Sequence, residues 1–481
     1  MANPEHLDVL IVGAGLSGVA AAYHLQTTCP TKTYAILEGR ETMGGTWDLF
    51  RYPGVRSDSD MYTLGYSFKP WRDAKAIADG DSILAYIQET AAEFGIDRHV
   101  RYSHRVEGAN WSSADGHWKV TVRRKGQLVE LTCGFVILCS GYYDYEGGYT
   151  PELVGIGTFK GKVVHPQKWT PDIDYTGKRV IVIGSGATAV TLVPELAKKA
   201  AHVTMLQRSP TYIVTVPAKD PIADWLRNKL PEKVAHAAAR WKNVLFGMAF
   251  FNISRRWPKG TAKWLIKQAE KQLEGSADVK EHFTPTYNPW DQRLCLIPDA
   301  DLFKSIKDGT ASVVTDHIDT FTATGIKLRS GKHLEADLVV TATGLKLKVF
   351  GGIAFSVDGK PVEAKDSMIY KGLMVSGVPN LAFAVGYTNA SWTLKADLTA
   401  QYACRLIAFM DKRGYSYCVP QRDPDVQEEP LMNFTSGYVQ RSIDQFPKQG
   451  AVRPWKLFQN YALDLWMIRH SKIDDSSIRF G

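Results

Sequence analysis

Four short apolar runs that end in glycine dominate the hydrophobic pattern of the chain. "DVLIVGAG" and "KRVIVIGSG" each lead into a segment with helical spacing, and "GFVILCSG" and "ADLVVTATG" end in similar glycine turns. A continuous apolar run before a glycine turn and a helix is typical of a strand in a buried parallel sheet. The pattern therefore predicts an α/β protein with two Rossmann-like dinucleotide-binding domains.

The first glycine turn has the spacing of a dinucleotide site. Gly13, Gly15 and Gly18 form G-x-G-x-x-G, in which the first glycine allows a tight turn, the second lets a pyrophosphate approach and the third lets helix and strand pack closely. Glu38 ends the next apolar run, where a carboxylate can accept hydrogen bonds from ribose hydroxyls. With Ser17, these residues form the predicted first site.

The second glycine turn is followed by a basic residue instead of an acidic one. Gly184, Gly186 and Ala189 form the G-x-G-x-x-A variant, and the next apolar run ends in Arg208 and Ser209. A guanidinium can bind a ribose 2′-phosphate through paired hydrogen bonds, which a carboxylate would repel. The predicted contacts of this second site are Gly184, Ser185, Gly186, Ala187, Thr188, Ala189, Arg208 and Ser209.

The two sites together indicate a pair of different cofactors. Two nicotinamides that face each other would gain little chemically, whereas a flavin that faces NADPH can accept its hydride. We therefore assign FAD to the first site and NADPH to the second.

The apolar runs also suggest how the domains follow one another along the chain. Residues 1–145 are predicted to form the first part of the FAD-binding domain, and residues 321–481 its second part with a C-terminal segment. Residues 146–320 are predicted to form the NADPH-binding domain, with a helical insert over about residues 218–285. We interpret "GFVILCSG" and "ADLVVTATG" as the last parallel strands of the two units, near which the chain crosses to the other domain.

The charged residues are informative mainly in the helical insert. The net charge of +8, from 58 basic and 50 acidic residues, is modest for this length and is not concentrated enough to indicate a nucleic-acid-binding protein. Lys219 to Glu281 carries 13 lysines and arginines against 7 acids. We expect Trp225, Trp241, Trp257 and Trp264 to pack in the core beneath solvated basic faces, with peripheral membrane contact as the alternative.

The cysteines and the first residues favour a cytoplasmic enzyme. The six cysteines form no C-x-x-C pair and no cluster, which argues against a zinc site, a disulfide framework and any other metal site. The chain enters a strand pattern too early for a signal peptide, and no apolar run approaches the ~20 residues of a spanning helix. We therefore expect a cytoplasmic location.

The segment "FKGKVVHPQKWT" between the two units carries a more specific signal. Phe159, Gly161, His165 and Trp169 have the spacing F-x-G-x-x-x-H-x-x-x-W, and the chain thereby resembles the flavin-dependent Baeyer–Villiger monooxygenases, which are class B flavoprotein monooxygenases. "GGTWDLFRYPGVRSDSDMYTLG", "NPWDQRLCL" and "GYTNASWTLKADL" are most similar to the ethionamide-activating branch. Thr170 departs from the proline or aspartate usual in the family.

The resemblance implies a reaction and the two residues that carry it. Such an enzyme inserts one oxygen atom next to a ketone carbonyl to give an ester or lactone, and sulfoxidation is expected as a second activity. Arg293 matches the arginine that stabilises negative charge beside the flavin, and Asp58 matches its carboxylate partner, with Asp60 as the competing candidate. The expected partners are a ketone or thioether and molecular oxygen.

The resemblance also implies further contacts around the cofactor. Gly45, Thr46 and Trp47 of "GGTW", Arg56, Ser57 and Asp58 of "RYPGVRSDSD", and Val106 are expected to contact FAD, and Asn389 and Trp392 to approach the flavin or the substrate. Gly161 gives backbone freedom to a linker between domains that move. His165 is interpreted as a linker residue with positional influence, with direct proton transfer as the alternative.

Three other functions compete with this interpretation. A flavin monooxygenase that oxidises nitrogen or sulfur would need the same cofactors but no Baeyer–Villiger role for Arg293. A disulfide reductase would need a redox dithiol, which Cys133 and Cys139 do not supply because they share one strand pattern. A non-catalytic nucleotide-binding protein would bind FAD without consuming NADPH in the presence of oxygen.

Overall fold

The chain forms two main sheets with helices on their faces, and the computed structural model describes residues 4–432 and 434–481. The helices are α1 (Leu16–Thr28), α2 (Thr46–Leu49), α3 (Met61–Leu64), α4 (Gly80–Glu93), α5 (Ala187–Leu196), α6 (Pro221–Lys229), α7 (Glu232–Arg256), α8 (Pro258–Leu273), α9 (Val279–His282), α10 (Asp301–Lys307), α11 (Trp392–Arg413), α12 (Gly437–Gln440) and α13 (Tyr461–His470).

The chain also forms twenty-five strands among the described residues. They are β1 (Glu5–Val12), β2 (Tyr34–Leu37), β3 (Val100–Arg101), β4 (His104–Ser112), β5 (His117–Arg124), β6 (Gln127–Leu138), β7 (Lys162–Val164), β8 (Arg179–Ile183), β9 (His202–Gln207), β10 (Ile213–Val216), β11 (Cys295–Pro298), β12 (Ala311–Thr315), β13 (Ile318–Thr322), β14 (Gly325–Leu328), β15 (His333–Glu335), β16 (Leu338–Thr341), β17 (Ala354–Val357), β18 (Lys360–Pro361), β19 (Ile369–Tyr370), β20 (Met374–Val375), β21 (Leu381–Phe383), β22 (Cys418–Pro420), β23 (Glu428–Pro430), β24 (Lys448–Gly450) and β25 (Ile478–Phe480).

The first sheet is built around β1, which pairs in parallel with β2 and with β6. Its strand order is β18-β17-β4-β5-β6-β1-β2-β3, with β21 joined to β6. Val9 and Ile11 belong to the core that also contains α1 and α11, whereas Leu10 and Val12 belong to the core on the opposite face. Burial on both faces explains why β1 reads as a continuous apolar run.

The second sheet is parallel throughout, in the order β12-β9-β8-β16-β7. Val180 and Val182 of β8 pack in the core that contains α5, and Ile181 and Ile183 pack in the core of the other face. Each sheet thus has a glycine turn between its central strand and a helix. The predicted α/β class with two Rossmann-like units is confirmed.

The chain returns from the second sheet to the first later than the sequence suggested. β16 lies between β8 and β7 in the second sheet, and β17 pairs with β4 of the first. The crossing therefore falls between Thr341 and Ala354. The predicted boundary at residue 320 is too early, because the hairpin strands β13–β15 pack their apolar side chains on the second sheet.

The helices α6 to α9 lie between β10 and β11 and form the helical insert. The inner face of α7 contacts the first unit, where the Arg240 Nη1 donates to the carbonyl oxygens of Tyr62 and Gly65 at 2.8 Å each. Asn243 Nδ2 donates to Asp60 Oδ1 at 2.8 Å. These bonds fix the insert against α3.

The tryptophans of the insert do not pack in the core. Trp225, Trp241, Trp257 and Trp264 are 58%, 38%, 62% and 50% exposed, so the expectation that they are core residues is wrong. Helical spacing cannot distinguish an inward from an outward stripe, and here the small residues Ala235 and Ala239 face inward instead. Across residues 4–432 and 434–481, no helix is both long and apolar enough to cross a bilayer.

Candidate active site

A cavity of about 400 Å³ opens at the carboxyl ends of β1, β2 and β6. In open α/β sheets this edge is where ligands bind. Its walls come from the first glycine turn, from the loop that follows β6 and, on one side, from Arg293 of the second unit. The site therefore combines groups from both halves of the fold.

The first glycine turn has the geometry that the spacing predicted. Gly13 has a φ of +101°, and a Cβ there would lie 2.6 Å from the carbonyl oxygen of Cys139. A Cβ at Gly18 would collide with the Gly13 carbonyl oxygen, so Gly18 serves helix–strand packing and does not line the cavity. Gly15 is the N-cap of α1 and offers no side-chain cap, which leaves the first N–H groups of the helix for an anionic ligand.

Glu38 stands at the cavity end of β2. Its Oε2 accepts a hydrogen bond from the backbone N–H of Ala14 at 2.8 Å, and its Oε1 accepts one from that of Arg40 at 2.9 Å. Burial raises the pKa of Glu38, and these two N–H groups oppose that effect. The carboxylate is thereby fixed next to the glycine turn, where a ribose of a bound dinucleotide would lie.

Most of the residues predicted to contact FAD line this cavity. They are Gly13, Gly15, Ser17, Glu38, Gly45, Thr46, Trp47, Ser57, Asp58 and Val106, together with Trp392. Arg56 does not line it, because its Nη1 donates to Asp301 Oδ2 at 2.5 Å. Asn389 is also outside the lining, and its Nδ2 donates to the Gln459 carbonyl oxygen at 2.9 Å.

Arg293 and Asp58 meet in the wall of the cavity. Arg293 Nε lies 3.3 Å from Asp58 Oδ2, and Nη2 lies 3.3 Å from Oδ1. The Asp58 carboxylate is the largest cause that raises the pKa of Arg293, so the guanidinium stays charged. The Arg293 side chain keeps 34% exposure because it faces the open cavity.

Asp60, the competing candidate, has a different place. Its side chain caps α3 by accepting from the Thr63 backbone N–H at 3.0 Å, and it also accepts from Thr63 Oγ1 at 2.8 Å. Asp60 is thus committed to the start of a helix, and the geometry selects Asp58 as the residue that pairs with Arg293.

A group of aromatic side chains around the cavity was not predicted from the sequence. Tyr142 and Tyr143 line it, with their hydroxyl oxygens 2.9 Å apart, and Tyr142 stacks on Trp392 with ring centroids 5.0 Å apart. Burial raises the pKa of both phenols, so they remain protonated. The signal was present in "GYYDYEGG", which directly follows the glycine turn after β6.

Trp392 also connects two parts of the site. Its Nε1 donates to Ser17 Oγ at 2.8 Å, which links the start of α11 to the start of α1. Ser17 was predicted as a direct cofactor contact. It does line the cavity, but its hydroxyl oxygen also accepts this hydrogen bond from Trp392.

The residues predicted for the second nucleotide lie together at the end of β8. Gly184 has a φ of +140°, and Ser185 Oγ donates to the Ser209 carbonyl oxygen at 3.1 Å. Gly186 is the N-cap of α5 without a side-chain cap.

Arg208 is exposed and forms no ion pair with any described residue. Cys295 Sγ lies 3.7 Å from the Ser185 carbonyl oxygen, so this turn adjoins the segment that carries Arg293.

His165 ties the linker to the returning chain. Its Nε2 lies 3.1 Å from the Gly344 carbonyl oxygen, and its Nδ1 accepts from the Gln167 backbone N–H at 3.2 Å. This arrangement requires a neutral ring that donates through Nε2, and burial lowers the pKa of His165 accordingly. His165 does not line the cavity.

The chain matches the family described as Flavin-binding monooxygenase-like over residues 8–406, and it belongs to that family. The predicted monooxygenase class and flavin cofactor are thereby confirmed.

Individual relatives agree with this assignment. The chain is 57% identical to the FAD-containing monooxygenase EthA of Mycobacterium tuberculosis over 479 residues, which cover 99% of this chain and 98% of EthA. Its fold is similar to that of an oxidized steroid monooxygenase bound to NADP, with a TM-score of 0.77, 23% identity and 99% of both chains covered. It is also similar to OTEMO in complex with FAD and NADP, with a TM-score of 0.71, 22% identity and 87% of both chains covered. The resemblance drawn from the motifs is confirmed.

Proposed function

We propose that this protein is an FAD- and NADPH-dependent Baeyer–Villiger monooxygenase. It inserts one atom of molecular oxygen next to a ketone carbonyl and releases an ester or lactone. The observation that carries the proposal is the Arg293–Asp58 pair, whose guanidinium faces the cavity behind the first glycine turn. Sulfoxidation of thioethers is proposed as a second activity of the same site.

The residues at the first site fit FAD. The backbones around Gly15 and Gly45 lie close together, because a Cβ at Gly45 would be 3.2 Å from the Gly15 Cα. The free N–H groups at the start of α1 can bind a pyrophosphate, and the Glu38 carboxylate can accept hydrogen bonds from ribose hydroxyls. FAD, once reduced by NADPH, supplies the activation of molecular oxygen.

The second site fits NADPH for a different reason. The uncapped start of α5 suits a pyrophosphate, and the guanidinium of Arg208, which has no ion-pair partner among the described residues, lies just after β9 and suits the 2′-phosphate. The EthA and OTEMO relatives support these cofactors, because the first is named as containing FAD and the second was solved with FAD and NADP.

Arg293 stabilises negative charge that develops in the cavity. A guanidinium is permanently charged, and the raised pKa of Arg293 prevents it from giving up a proton to an anion beside it. Asp58 orients the guanidinium through two contacts of 3.3 Å. A fixed positive group in a partly dehydrated site stabilises such charge more than water does.

The aromatic residues give this part of the cavity an apolar wall. Tyr142 and Trp392 form a stacked pair in the cavity wall, and Tyr143 extends it. The buried phenols of Tyr142 and Tyr143 remain hydrogen-bond donors because burial raises their pKa values. A ketone or thioether is the class of substrate that such a partly apolar cavity would accept.

We also propose that the protein works in the cytoplasm. All six cysteines are buried and free, as expected of a protein from a reducing compartment.

Product analysis tests the proposed reaction. The holoenzyme is incubated with NADPH and air and a panel of linear, cyclic and aromatic ketones with thioethers, and products are identified by mass spectrometry. Esters or lactones one oxygen heavier than their ketones support the proposal. Sulfoxides or N-oxides without any ester would favour the heteroatom-oxidising alternative. A protein that binds FAD but never consumes NADPH with oxygen would favour a non-catalytic role.

A further inference from the structure

The exposed apolar side chains are concentrated in one part of the protein. Of the sixteen large hydrophobic residues exposed in residues 4–432 and 434–481, ten lie between Ile222 and Trp264. Scattered single residues of this kind are ordinary on a surface, but a dense group marks a binding face. The group lies on α6, α7 and α8 of the helical insert.

Four of these side chains form what we call the hairpin patch. They are Phe246, Ile253, Trp257 and Trp264, with exposures of 72%, 49%, 62% and 50%. Phe246 and Ile253 are two turns apart on the same side of α7, and Trp257 lies where α7 meets α8. Phe250 joins the two helices, because its ring centroid lies 6.5 Å from that of Phe246 and 6.3 Å from that of Trp264.

Basic side chains surround the hairpin patch. Arg256, Lys259, Lys263 and Lys267 are exposed and form no ion pair with any residue that the structure describes. Several acids of the insert are already neutralised by other partners, in the pairs Asp220–Lys242, Asp224–Arg227, Glu232–Arg72 and Glu274–Lys307. Glu270 of α8 is also exposed without an ion pair to any described residue, but the four basic residues outnumber it, so the free face is apolar with a positive excess.

The hairpin patch is held in place from behind. Arg240 and Asn243 anchor the inner face of α7 to the first unit through hydrogen bonds of 2.8 Å. The opposite face of α7 therefore points away from the first unit. No helix among the described residues is apolar enough to span a bilayer, so any contact with lipid occurs at the surface.

We propose that the hairpin patch docks this protein on the surface of an anionic phospholipid bilayer. Tryptophan and phenylalanine suit the boundary between headgroups and acyl chains, and lysine and arginine around them attract anionic headgroups. A second copy of the chain fits less well, because two hairpin patches face to face would bring their unpaired lysines together.

Docking would also bring the bilayer close to the active site. Phe251 of α7 packs on Trp290 with ring centroids 5.3 Å apart, and Arg255 pairs with Asp291 at 2.8 Å. These contacts join the patch-bearing helix to the segment that carries Arg293.

Vesicle binding by the full-length holoenzyme tests the proposal. Vesicles of phosphatidylglycerol and phosphatidylcholine are compared with vesicles of phosphatidylcholine alone, by co-sedimentation at low and high salt. We expect the wild type to bind only the anionic vesicles and to dissociate as salt is raised. The Trp257→Ala/Trp264→Ala variant and the Lys259→Gln/Lys263→Gln/Lys267→Gln variant should each bind at least about tenfold more weakly.

Matched controls distinguish the patch from the general surface. Trp466 is 59% exposed on α13, and Lys160, Lys332 and Lys365 are exposed lysines elsewhere. Trp466→Ala and the triple lysine-to-glutamine control should bind within about twofold of the wild type. Every variant should keep its bound flavin and its rate of NADPH oxidation without vesicles, which shows that it is folded.

Three results would overturn the proposal. The wild type could fail to bind anionic vesicles, or the control variants could lose as much binding as the patch variants. Sedimentation velocity could also show that the double tryptophan variant dissociates a dimer of the wild type. In that case a second copy covers the patch.

Discussion

Asp58 and Arg293 are 235 positions apart in the sequence, yet two pairs of their atoms lie 3.3 Å from each other. Asp58 follows β2 in the first unit, and Arg293 precedes β11 in the second. The contact therefore joins the two halves of the protein at the cavity. Any relative movement of the units would change the position of the guanidinium.

Asp58→Asn should weaken oxygen insertion without preventing flavin binding. The substitution keeps the shape of the side chain but removes the charge that orients Arg293, and we expect ester formation to fall by roughly tenfold. Initial rates of ester formation, with flavin absorbance to verify loading, measure the effect.

Asp60→Ala is the matched control for that experiment. It removes the cap of α3 and should lower stability by about 1 kcal/mol while ester formation changes little. Equal losses of activity in the two variants would contradict the assignment of Asp58.

Arg208→Ala should change the choice of nicotinamide cofactor. The loss of a charged partner for the 2′-phosphate is expected to raise the KM for NADPH by about 10- to 100-fold and to leave the KM for NADH unchanged. Steady-state kinetics with both cofactors measure this. Arg329→Ala, at another exposed arginine, should change neither value. A similar rise for NADPH and NADH would place Arg208 outside the phosphate site.

Stability should decrease at acidic pH because of His236. Burial, followed by the nearby Arg240 charge, lowers the pKa of His236 to about 4. Because this is below the ordinary value, the unfolded chain binds the proton more tightly, and stability is lost as pH falls from about 6.5 towards 4. The loss by pH 4 is up to about 3 kcal/mol.

Urea unfolding at pH 7.5 and pH 5 measures this effect. His236→Gln should lose less stability between the two pH values than the wild type, whereas His317→Gln, at an exposed site, should behave like the wild type. An identical loss in wild type and His236→Gln would show that other groups cause the acid sensitivity.

Lys395 and Asp464 form a buried ion pair between α11 and α13. Their charged atoms are 2.8 Å apart with side-chain exposures of 4% and 3%, and Tyr387 Oη, at the cavity wall, donates to Asp464 at 2.7 Å. Lys395→Met leaves the carboxylate without its cation and should cost about 3–5 kcal/mol. Thermal unfolding should show a clear decrease, whereas Lys412→Met on the exposed end of α11 should not. Equal melting temperatures would contradict the structural role of the pair.

Local features of the sequence predicted the cofactor sites well. The tight turn at Gly13, the close packing at Gly18 and the position of Glu38 all depend on residues within one strand–turn–helix–strand unit. Such short-range geometry is dictated by backbone sterics, so spacing alone identifies it. The Asp58–Arg293 contact came only from the family resemblance, because nothing local fixes a distance across two domains.

Other features depend on tertiary packing and were not predictable. Arg56 lies two residues before Asp58, but Asp301 of the second unit draws its side chain away from the cavity. The tryptophans of the insert have the spacing of core residues, yet α7 packs inward through other residues, such as Ala239 and Arg240, and the tryptophans stay outside. Hydrophobic spacing indicates that a helix has an apolar stripe, but not which partner will cover it.

Labelled oxygen gas tests the proposed role of Arg293 in oxygen insertion. Holoenzyme, NADPH and a ketone are incubated under ¹⁸O₂, and label in the ester is compared between the wild type, Arg293→Lys and Arg293→Ala. We predict one labelled atom per ester from the wild type and at least about a 100-fold loss in Arg293→Ala. NADPH oxidation should continue in that variant, with release of hydrogen peroxide. Labelled ester at the wild-type rate from Arg293→Ala, or no label in any product of the wild type, would contradict the account.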